Sequence, residues 1–187
     1  MQQLTAHGFG KVVQVAHVVE DVDLAMQRWL RLMGLGPWTC LRNIELDATL
    51  DGRSVRMRLH EANAYIGDLQ IQLIQSLNRP DEITPYHDFI QAGHWGMHHI
   101  AFLSQDAQAD AARAKEQGFN RQCEMRDPQG FRHYYCQSPE MPNFWIEFLQ
   151  SNPGVDGLFA GGIAEAAQWD GSGERIHNID VSALKLE

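Results

Sequence analysis

An internal repeat constrains the fold of this chain more than any other feature of its sequence. A β-branched run, VVQVAHVVED, occupies residues 12–21 and leads directly into an amphipathic segment with helical spacing. The same order recurs at MHHIAFLSQD, residues 97–106, which leads into a second helical segment. Asp21 and Asp106 each stand where a helix N-cap belongs, and each segment ends at a glycine suited to a left-handed C-terminal residue. The sequence therefore predicts two copies of one strand–helix unit.

Three strand candidates follow each predicted helix. In the first copy they are residues 38–46, 54–61 and 68–74, and in the second copy residues 120–125, 132–137 and 144–149. Loops are predicted at DGR, from Asp51, and at NAYIGD, from Asn63. This pattern predicts two tandem βαβββ modules, residues 10–77 and 95–150, joined by a linker at residues 78–94 that contains a short helix.

Residues 151–187 form a tail beyond the second module. The segment GLFAGGIAEAAQW, residues 157–169, predicts a helix that packs across the edge of the sheet or on a partner chain. Residues 171–187 show no clear periodicity, and we expect a loosely ordered end.

Length and charge restrict the classes of partner. A chain of 187 residues suffices for one domain with a sizeable core. A net charge of -9 and a pI near 5.4 argue against binding to nucleic acid or to an anionic membrane, whereas local arginines still permit a small anionic ligand. We expect no signal peptide and no membrane-spanning segment, and the three cysteines lack CxxC spacing, which indicates free thiols in a cytoplasmic protein.

Strand alternation predicts which polar side chains face the interior of the sheet. In LQIQLI, residues 69–74, Leu and Ile alternate with Gln70 and Gln72, so that the apolar side chains face the helices and the glutamines face the other way. In FWIEFL, residues 144–149, Glu147 likewise lies opposite the apolar face, among aromatic neighbours. A carboxylate there needs a cation or a hydrogen-bond partner, because desolvating it alone costs roughly several kcal/mol.

The histidine doublet offers one histidine to the interior. Gln14 and His99 are equivalent positions of the two repeats, because each lies seven residues before its aspartate cap. Alternation places both on the inner face and places His98 on the opposite face. His17 is predicted to face the helix as a packed, hydrogen-bonded residue.

These motifs resemble those of the vicinal oxygen chelate superfamily, which includes glyoxalase I, methylmalonyl-CoA epimerases, extradiol dioxygenases and antibiotic-resistance proteins. VVEDVDLAMQRWLRLMGLGPW, residues 18–38, resembles the first strand–helix unit of glyoxalase-like proteins, and residues 71–102, which end in HHIAF, are similar to a passage of methylmalonyl-CoA epimerases. FWIEFLQ resembles the closing strand of the superfamily. The resemblance covers about residues 10–150 and implies an α+β domain, residues 1–150, in which the two modules form a cup-shaped, partly closed mixed sheet with helices outside.

The resemblance also implies a metal site. Superfamily members place one ligand on the first and one on the last strand of each module, which gives Gln14, Gln72, His99 and Glu147 in this chain. One imidazole, one carboxylate and two amide oxygens can hold a divalent ion (Zn, Ni, Co, Mn, Mg or Fe) and leave positions for a chelating substrate. Glyoxalase I typically has a carboxylate at the position of Gln72, so only Glu147 can be both ligand and proton acceptor here.

Three functions remain open from the sequence. The first is a metal-dependent enzyme that abstracts a proton next to a carbonyl, as an epimerase, isomerase or glyoxalase-like lyase, with Glu147 as the general base. A second acid or base would come from Glu45, Asp47 or Glu61. The alternatives are an extradiol-type ring-cleaving dioxygenase, which requires two histidines and a carboxylate, and a metal-free protein that binds a drug-like small molecule.

Further expectations concern the partners of the site. Tyr135, His133 and Arg58 are the residues predicted to contact a small-molecule substrate. Paired sheets with exposed edges also make a homodimer an expectation.

Overall fold

The computed structural model describes residues 8–126 and 132–183, and its elements follow the predicted order. The first module comprises β1 (Val12–Val18), α1 (Val22–Met33), β2 (Trp38–Leu50), β3 (Arg53–Ile66) and β4 (Leu69–Ser76). The linker contains α2 (His87–Gln91), and the second module comprises β5 (Gly96–Ser104), α3 (Ala107–Glu116), β6 (Arg121–Arg126), β7 (Arg132–Gln137) and β8 (Trp145–Gln150). The tail contributes α4 (Pro153–Gln168), β9 (Ile176–Asp180) and a short 3-10 helix (Val181–Ala183).

The sheet closes on itself into a cup. Its strands lie in the order β3-β4-β1-β5-β8-β7-β6-β2, and β2 also pairs with β3, which completes the ring. The first strands of the two modules, β1 and β5, pair antiparallel and join the modules on one side. On the other side, β2 joins β6 over three residue pairs. This closed mixed sheet confirms the predicted fold class of two βαβββ modules.

The two long module helices cover the outer face of the sheet. Asp21 and Asp106 cap them as predicted, because their carboxylates accept hydrogen bonds from backbone N–H groups in the first turn of α1 and α3. α1 buries Met26 against the outer face of the first module, in a cluster that includes Leu73. α3 packs three alanines against the second module, around Phe148. The side chains opposite these outer clusters are thereby left to line the cup.

Two strands of the first module are longer than the sequence indicated. β2 and β3 form one hairpin through Asp51 and Gly52, whose positive φ values of 49° and 79° suit the tight turn of a two-residue hairpin. The loop predicted at residues 63–68 is too long, because β3 continues to Ile66 and pairs with β4 along its last residues. Only Gly67 and Asp68 remain in the turn. Ala62 and Ala64 are buried on the outer side of this extension, so it carries part of the core.

The tail is also more ordered than predicted. Residues 176–180 form β9, which pairs in parallel with β2 between Trp38 and Arg42. The Arg42 guanidinium donates to Asn178 Oδ1 at 2.7 Å and 2.9 Å, and Asn43 Nδ2 donates to Asp180 at 3.0 Å. These polar contacts hold a strand that has no hydrophobic alternation of its own. Residues 184–187 lie outside the described part of the chain.

α4 packs on the inner side of β3, at Tyr65. The ring of Phe159 contacts the ring of Tyr65 edge-on, with centroids 6.2 Å apart. No residue of α4 is fully buried, and its apolar Leu158 is 75% exposed. Across residues 8–126 and 132–183, no helix has both the length and the apolar character that crossing a membrane requires.

Two adjacent glycines of α4 make a direct test of this contact. A methyl group at Gly162 would overlap the Tyr65 ring, whereas one at Gly161 would meet nothing within 4 Å. We expect Gly162→Ala to lower the free energy of unfolding by about 1–3 kcal/mol. Gly161→Ala should leave it unchanged or raise it by up to about 1 kcal/mol, because alanine favours a helix. Urea unfolding followed by circular dichroism measures both, and equal midpoints would mean that α4 does not dock on Tyr65.

The three cysteines are buried and unbonded to one another, which confirms the prediction of free thiols. Burial raises the pKa of Cys40 to about 11 and the pKa values of Cys123 and Cys136 to about 12. We therefore expect the native protein not to react with a thiol reagent at mildly alkaline pH. Titration in guanidinium chloride should count three thiols, and rapid reaction of any thiol in the native protein would contradict this burial.

Candidate active site

The four residues predicted to hold a metal lie on four adjacent strands of the cup. Gln72 is on β4, Gln14 on β1, His99 on β5 and Glu147 on β8, and these strands are neighbours in that order. Their exposed fractions are 6%, 3%, 0% and 5%. The structure therefore brings four polar side chains from distant parts of the chain into one buried region.

Two alanines separate these four side chains. Ala101 on β5 is the register partner of Gln14 on β1 and of Glu147 on β8. Ala16 on β1 is likewise the register partner of Gln72 on β4 and of His99 on β5. Both alanines are fully buried. The result is two neighbouring rows, each with two polar groups that flank an alanine.

A chain of hydrogen bonds defines the protonation of His99. The Nε2 atom of His98 donates to the carbonyl oxygen of Pro85 at 3.2 Å, because a carbonyl can only accept. Burial lowers the pKa of His98 well below its usual value, so the ring is neutral and its Nδ1 accepts from His99 Nδ1 at 3.0 Å. Burial also lowers the pKa of His99 to about 3. The Nε2 atom of His99 therefore carries an unprotonated lone pair.

The Glu147 carboxylate faces that lone pair. Its Oε2 atom lies 3.3 Å from His99 Nε2. Burial raises the pKa of Glu147 to about 7, and the nearby charge of His133 lowers it in part. Because both atoms offer lone pairs, only a proton or a cation between them makes the contact favourable. A protonated Glu147 satisfies it in a metal-free pocket, and a divalent ion satisfies it by binding both groups.

The buried atoms without partners support a cation at this place. In the described residues, five buried side-chain atoms have no hydrogen bond, and three of them are Gln14 Oε1, Gln72 Oε1 and His99 Nε2. The other two are His17 Nδ1 and Asn63 Oδ1. Buried polar atoms are nearly always paired, so three unpaired electron-pair donors on three of the predicted ligands need an explanation. Within the described ranges, no group of three or more His, Cys, Asp and Glu residues is arranged to hold a metal. A metal here would therefore use the two amide oxygens as ligands, and the residues present fit that requirement.

Glu61 brings a second carboxylate to the same interior. Its Oε1 atom accepts a hydrogen bond from Asn63 Nδ2 at 2.7 Å, and Gln72 also hydrogen-bonds to it. Burial raises the pKa of Glu61, and the negative charge of Glu147 raises it further. The two carboxylates therefore interact through a space of low dielectric constant, and repulsion disfavours the state in which both are ionised.

The other two candidates for a second acid or base lie elsewhere. Glu45 and Asp47 are exposed on β2, where both form ion pairs with Arg56, at 3.1 Å and 2.9 Å. Their carboxylates are on the solvent side of the hairpin. The sequence offered three carboxylates as the second acid or base, and only the partly buried Glu61 faces the interior that holds Glu147.

A family model decides the relationship of this chain to known proteins. The model described as the Glyoxalase/Bleomycin resistance protein/Dioxygenase superfamily matches residues 13–136. The chain belongs to this superfamily. No curated protein matches it significantly.

Solved structures resemble this superfamily member at low identity. A hypothetical protein from Bacillus halodurans C-125 is 17% identical, with 76% of this chain and 94% of that chain covered and a TM-score of 0.47. A variant of Streptomyces coelicolor methylmalonyl-CoA epimerase, in complex with 2-nitronate-propionyl-CoA, is 17% identical with coverages of 78% and 97% and a TM-score of 0.47. Methylmalonyl-CoA epimerase from Mycobacterium tuberculosis is 18% identical with coverages of 81% and 97% and a TM-score of 0.47.

The residues predicted to contact substrate fall into two places in this superfamily member. Tyr135 is the register partner of Glu147, and its ring lies 4.7 Å from that of His99. His133, two residues earlier on β7, is close enough for its charge to lower the pKa of Glu147. Arg58 is on the opposite face of β3, where its guanidinium binds Glu82 at 2.5 Å. The structure therefore places the first two at the buried cluster and the third away from it.

Strand alternation predicted the wrong face of β5 for His98 in this superfamily member. The pairing of β1 with β5 shifts register between Ala16 and His17, which leaves His98 as an extra residue in β5. Its ring then packs among Tyr86, Phe89 and other aromatic rings, instead of facing α3. Two adjacent histidines before an apolar strand were a visible signal, but a bulge depends on the partner strand and cannot be inferred from local periodicity.

Proposed function

We propose that this protein is a divalent-metal-dependent enzyme that abstracts a proton from the carbon next to a carbonyl group. The observation that carries the proposal is the pair of carboxylates, buried Glu147 and partly buried Glu61, in one interior with three unpaired ligand atoms. Such a pair suits an epimerase, an isomerase or a glyoxalase-like lyase, because these reactions move one proton off and onto a carbon.

The proposed metal ligands are Gln14, Gln72, His99 and Glu147. A divalent ion held by them would act as a Lewis acid that polarises the carbonyl of a bound substrate. Only one of these four groups carries a full negative charge, so we expect modest affinity for the ion. The hydrogen bond from His99 to His98 would keep the metal-binding nitrogen unprotonated at all physiological pH values.

The two carboxylates take the proton-transfer roles. Glu147 acts as the base, because it is the one proposed ligand whose carboxylate can accept a proton. Burial raises its pKa to about 7 in the metal-free protein, and a bound divalent ion would lower that pKa. Glu61 acts as the second acid or base from its own strand, and its bonds to Asn63 and Gln72 hold it in place. Because repulsion disfavours two negative charges, the pair shares one proton before and after the transfer.

The substrate is proposed to be a small molecule with two oxygen atoms that can chelate. Tyr135 and His133 border the carboxylates and would contact it. The domain proposed for this chemistry is residues 1–150, with residues 151–187 as an addition. Within this addition, α4 packs on β3 and β9 pairs with β2. A homodimer is proposed, and size-exclusion chromatography with light scattering tests it.

Deuterium exchange tests the proposed reaction before the true substrate is known. The metal-free protein is incubated in deuterium oxide with 2-substituted acyl thioesters and with 2-oxo compounds, each with added Mg, Mn, Co, Ni or Zn. We expect metal-dependent incorporation of deuterium at the carbon next to the carbonyl in at least one class. Failure of every combination would contradict the proposal.

Two further measurements on the same protein distinguish the proposed function from the two alternatives. An extradiol-type dioxygenase needs a second histidine ligand, and His17 instead packs against Trp29 of α1, with ring centroids 5.4 Å apart. Oxygen uptake with catechols after anaerobic loading with iron would nevertheless replace our proposal. Tight binding of a drug-like molecule, with no divalent ion bound or restorable, would identify a metal-free binding protein.

A further inference from the structure

The amide of Gln14 can present either of its ends to the interior, and only the oxygen can bind a cation. In the structure, Gln14 Nε2 donates to Gln70 Oε1 at 2.5 Å, and Gln14 Oε1 is the atom left without a partner. The two residues are register partners on the parallel strands β1 and β4, so the bond follows from strand pairing. Gln70 therefore selects which end of the Gln14 amide faces the other ligands.

Gln70 is held in turn by a tyrosine. Its Nε2 donates to the hydroxyl oxygen of Tyr65 at 2.6 Å, which leaves its Oε1 turned toward Gln14. Gln14 and Gln70 are only 3% and 7% exposed, so water has little access to replace either bond. The Tyr65 ring itself is held between its strand and Phe159 of α4. A continuous set of contacts thus runs from the C-terminal helix to a proposed ligand.

We propose that Gln70 and Tyr65 are positioning residues that fix the Gln14 amide with its oxygen toward a divalent cation. This inference rests on the proposed metal site, and it adds two residues that touch neither the ion nor the substrate. Without Gln70, the Gln14 amide would rotate freely and would often present its N–H₂ end, which repels a cation. The consequence is weaker binding of the ion without any loss of a ligand.

Calorimetric titration of the metal-free protein with Co²⁺ tests this role. We expect Gln70→Leu to weaken Co²⁺ binding about 10–100-fold, the usual effect of removing a residue that orients a ligand. Tyr65→Phe should weaken it less, about 3–10-fold, because Gln70 keeps its bond to Gln14 but loses its own restraint. The matched control is Gln75→Leu on the same strand, whose amide oxygen accepts from the Val22 backbone and not from the cluster, and it should leave the affinity unchanged.

A double variant distinguishes positioning from a general loss of structure. If Gln70 acts through Gln14, then Gln70→Leu has no further effect on Co²⁺ affinity once Gln14→Leu is present. Additive losses, or an affinity of Gln70→Leu within about twofold of wild type, would overturn the inference and leave the metal site intact. Wild-type protein that binds no Co²⁺ would overturn the inference together with the proposed metal site. Thermal unfolding of each metal-free variant shows whether a loss of folded protein accounts for a change in Co²⁺ affinity.

Discussion

Replacing Glu147 with glutamine is expected to lower the rate of solvent deuterium exchange into a responsive substrate by about 10²–10⁴-fold, the contribution of a general base. Glutamine keeps the shape of the side chain and an oxygen that can bind the ion, but it cannot accept the proton from carbon. The two proteins are compared at saturating metal, because loss of the charged ligand also weakens metal binding. The loss should appear in kcat, because the role of the carboxylate is in the transition state. Proton nuclear magnetic resonance of the exchanging position measures it directly.

The folded state itself should tolerate this change. The pKa of Glu147 is about 7 in the folded protein, above the value of 4.5 for a free side chain, so its ionisation costs folding stability as the pH rises through this interval. Metal-free Glu147→Gln should therefore be at least as stable as wild type above pH 7, as urea unfolding would measure. The matched control is Glu124→Gln on β6, where the carboxylate forms ion pairs with Arg126 and Arg132, and it should exchange normally. Exchange at the wild-type rate in Glu147→Gln would eliminate Glu147 as the base.

Glu61→Gln is expected to lower the interconversion of two enantiomers by about 10²–10⁴-fold. An epimerase with two bases needs one group on each side of the reacting carbon. Glu147 remains in this variant, so deuterium should still enter one of the two enantiomers and should no longer enter the other. Chiral chromatography combined with mass spectrometry distinguishes these two outcomes.

Two variants of exposed carboxylates serve as controls for Glu61. Glu45→Gln and Asp47→Asn each remove a carboxylate that is ion-paired with Arg56 on the solvent side of the sheet. Both should interconvert the enantiomers at the wild-type rate. If Glu61→Gln does the same, or exchanges deuterium into both enantiomers equally, then Glu61 is not the second acid or base. A lyase that uses a single base would show that result.

The periodic parts of the sequence determined the architecture. The repeat of strand, helix and three strands follows from local patterns of two and of 3.6 residues, which a folded chain must satisfy to bury its apolar side chains. Alternation in LQIQLI and FWIEFL also assigned Gln72 and Glu147 to the face away from the helices, and the outer clusters contain the apolar residues between them. These assignments need no knowledge of which strands are neighbours.

Only the tertiary structure decided how the interior is arranged. The bulge at His98 depends on the register between β1 and β5, and the choice of Glu61 over Glu45 depends on which face of the hairpin closes the cup. The hydrogen-bond partner of Gln14 is Gln70, 56 positions along the chain. The partner of Arg58 is Glu82, 24 positions along the chain. β9 forms because β2 offers an unpaired edge beside Trp38. Such contacts join residues distant along the chain, so local periodicity carries no information about them.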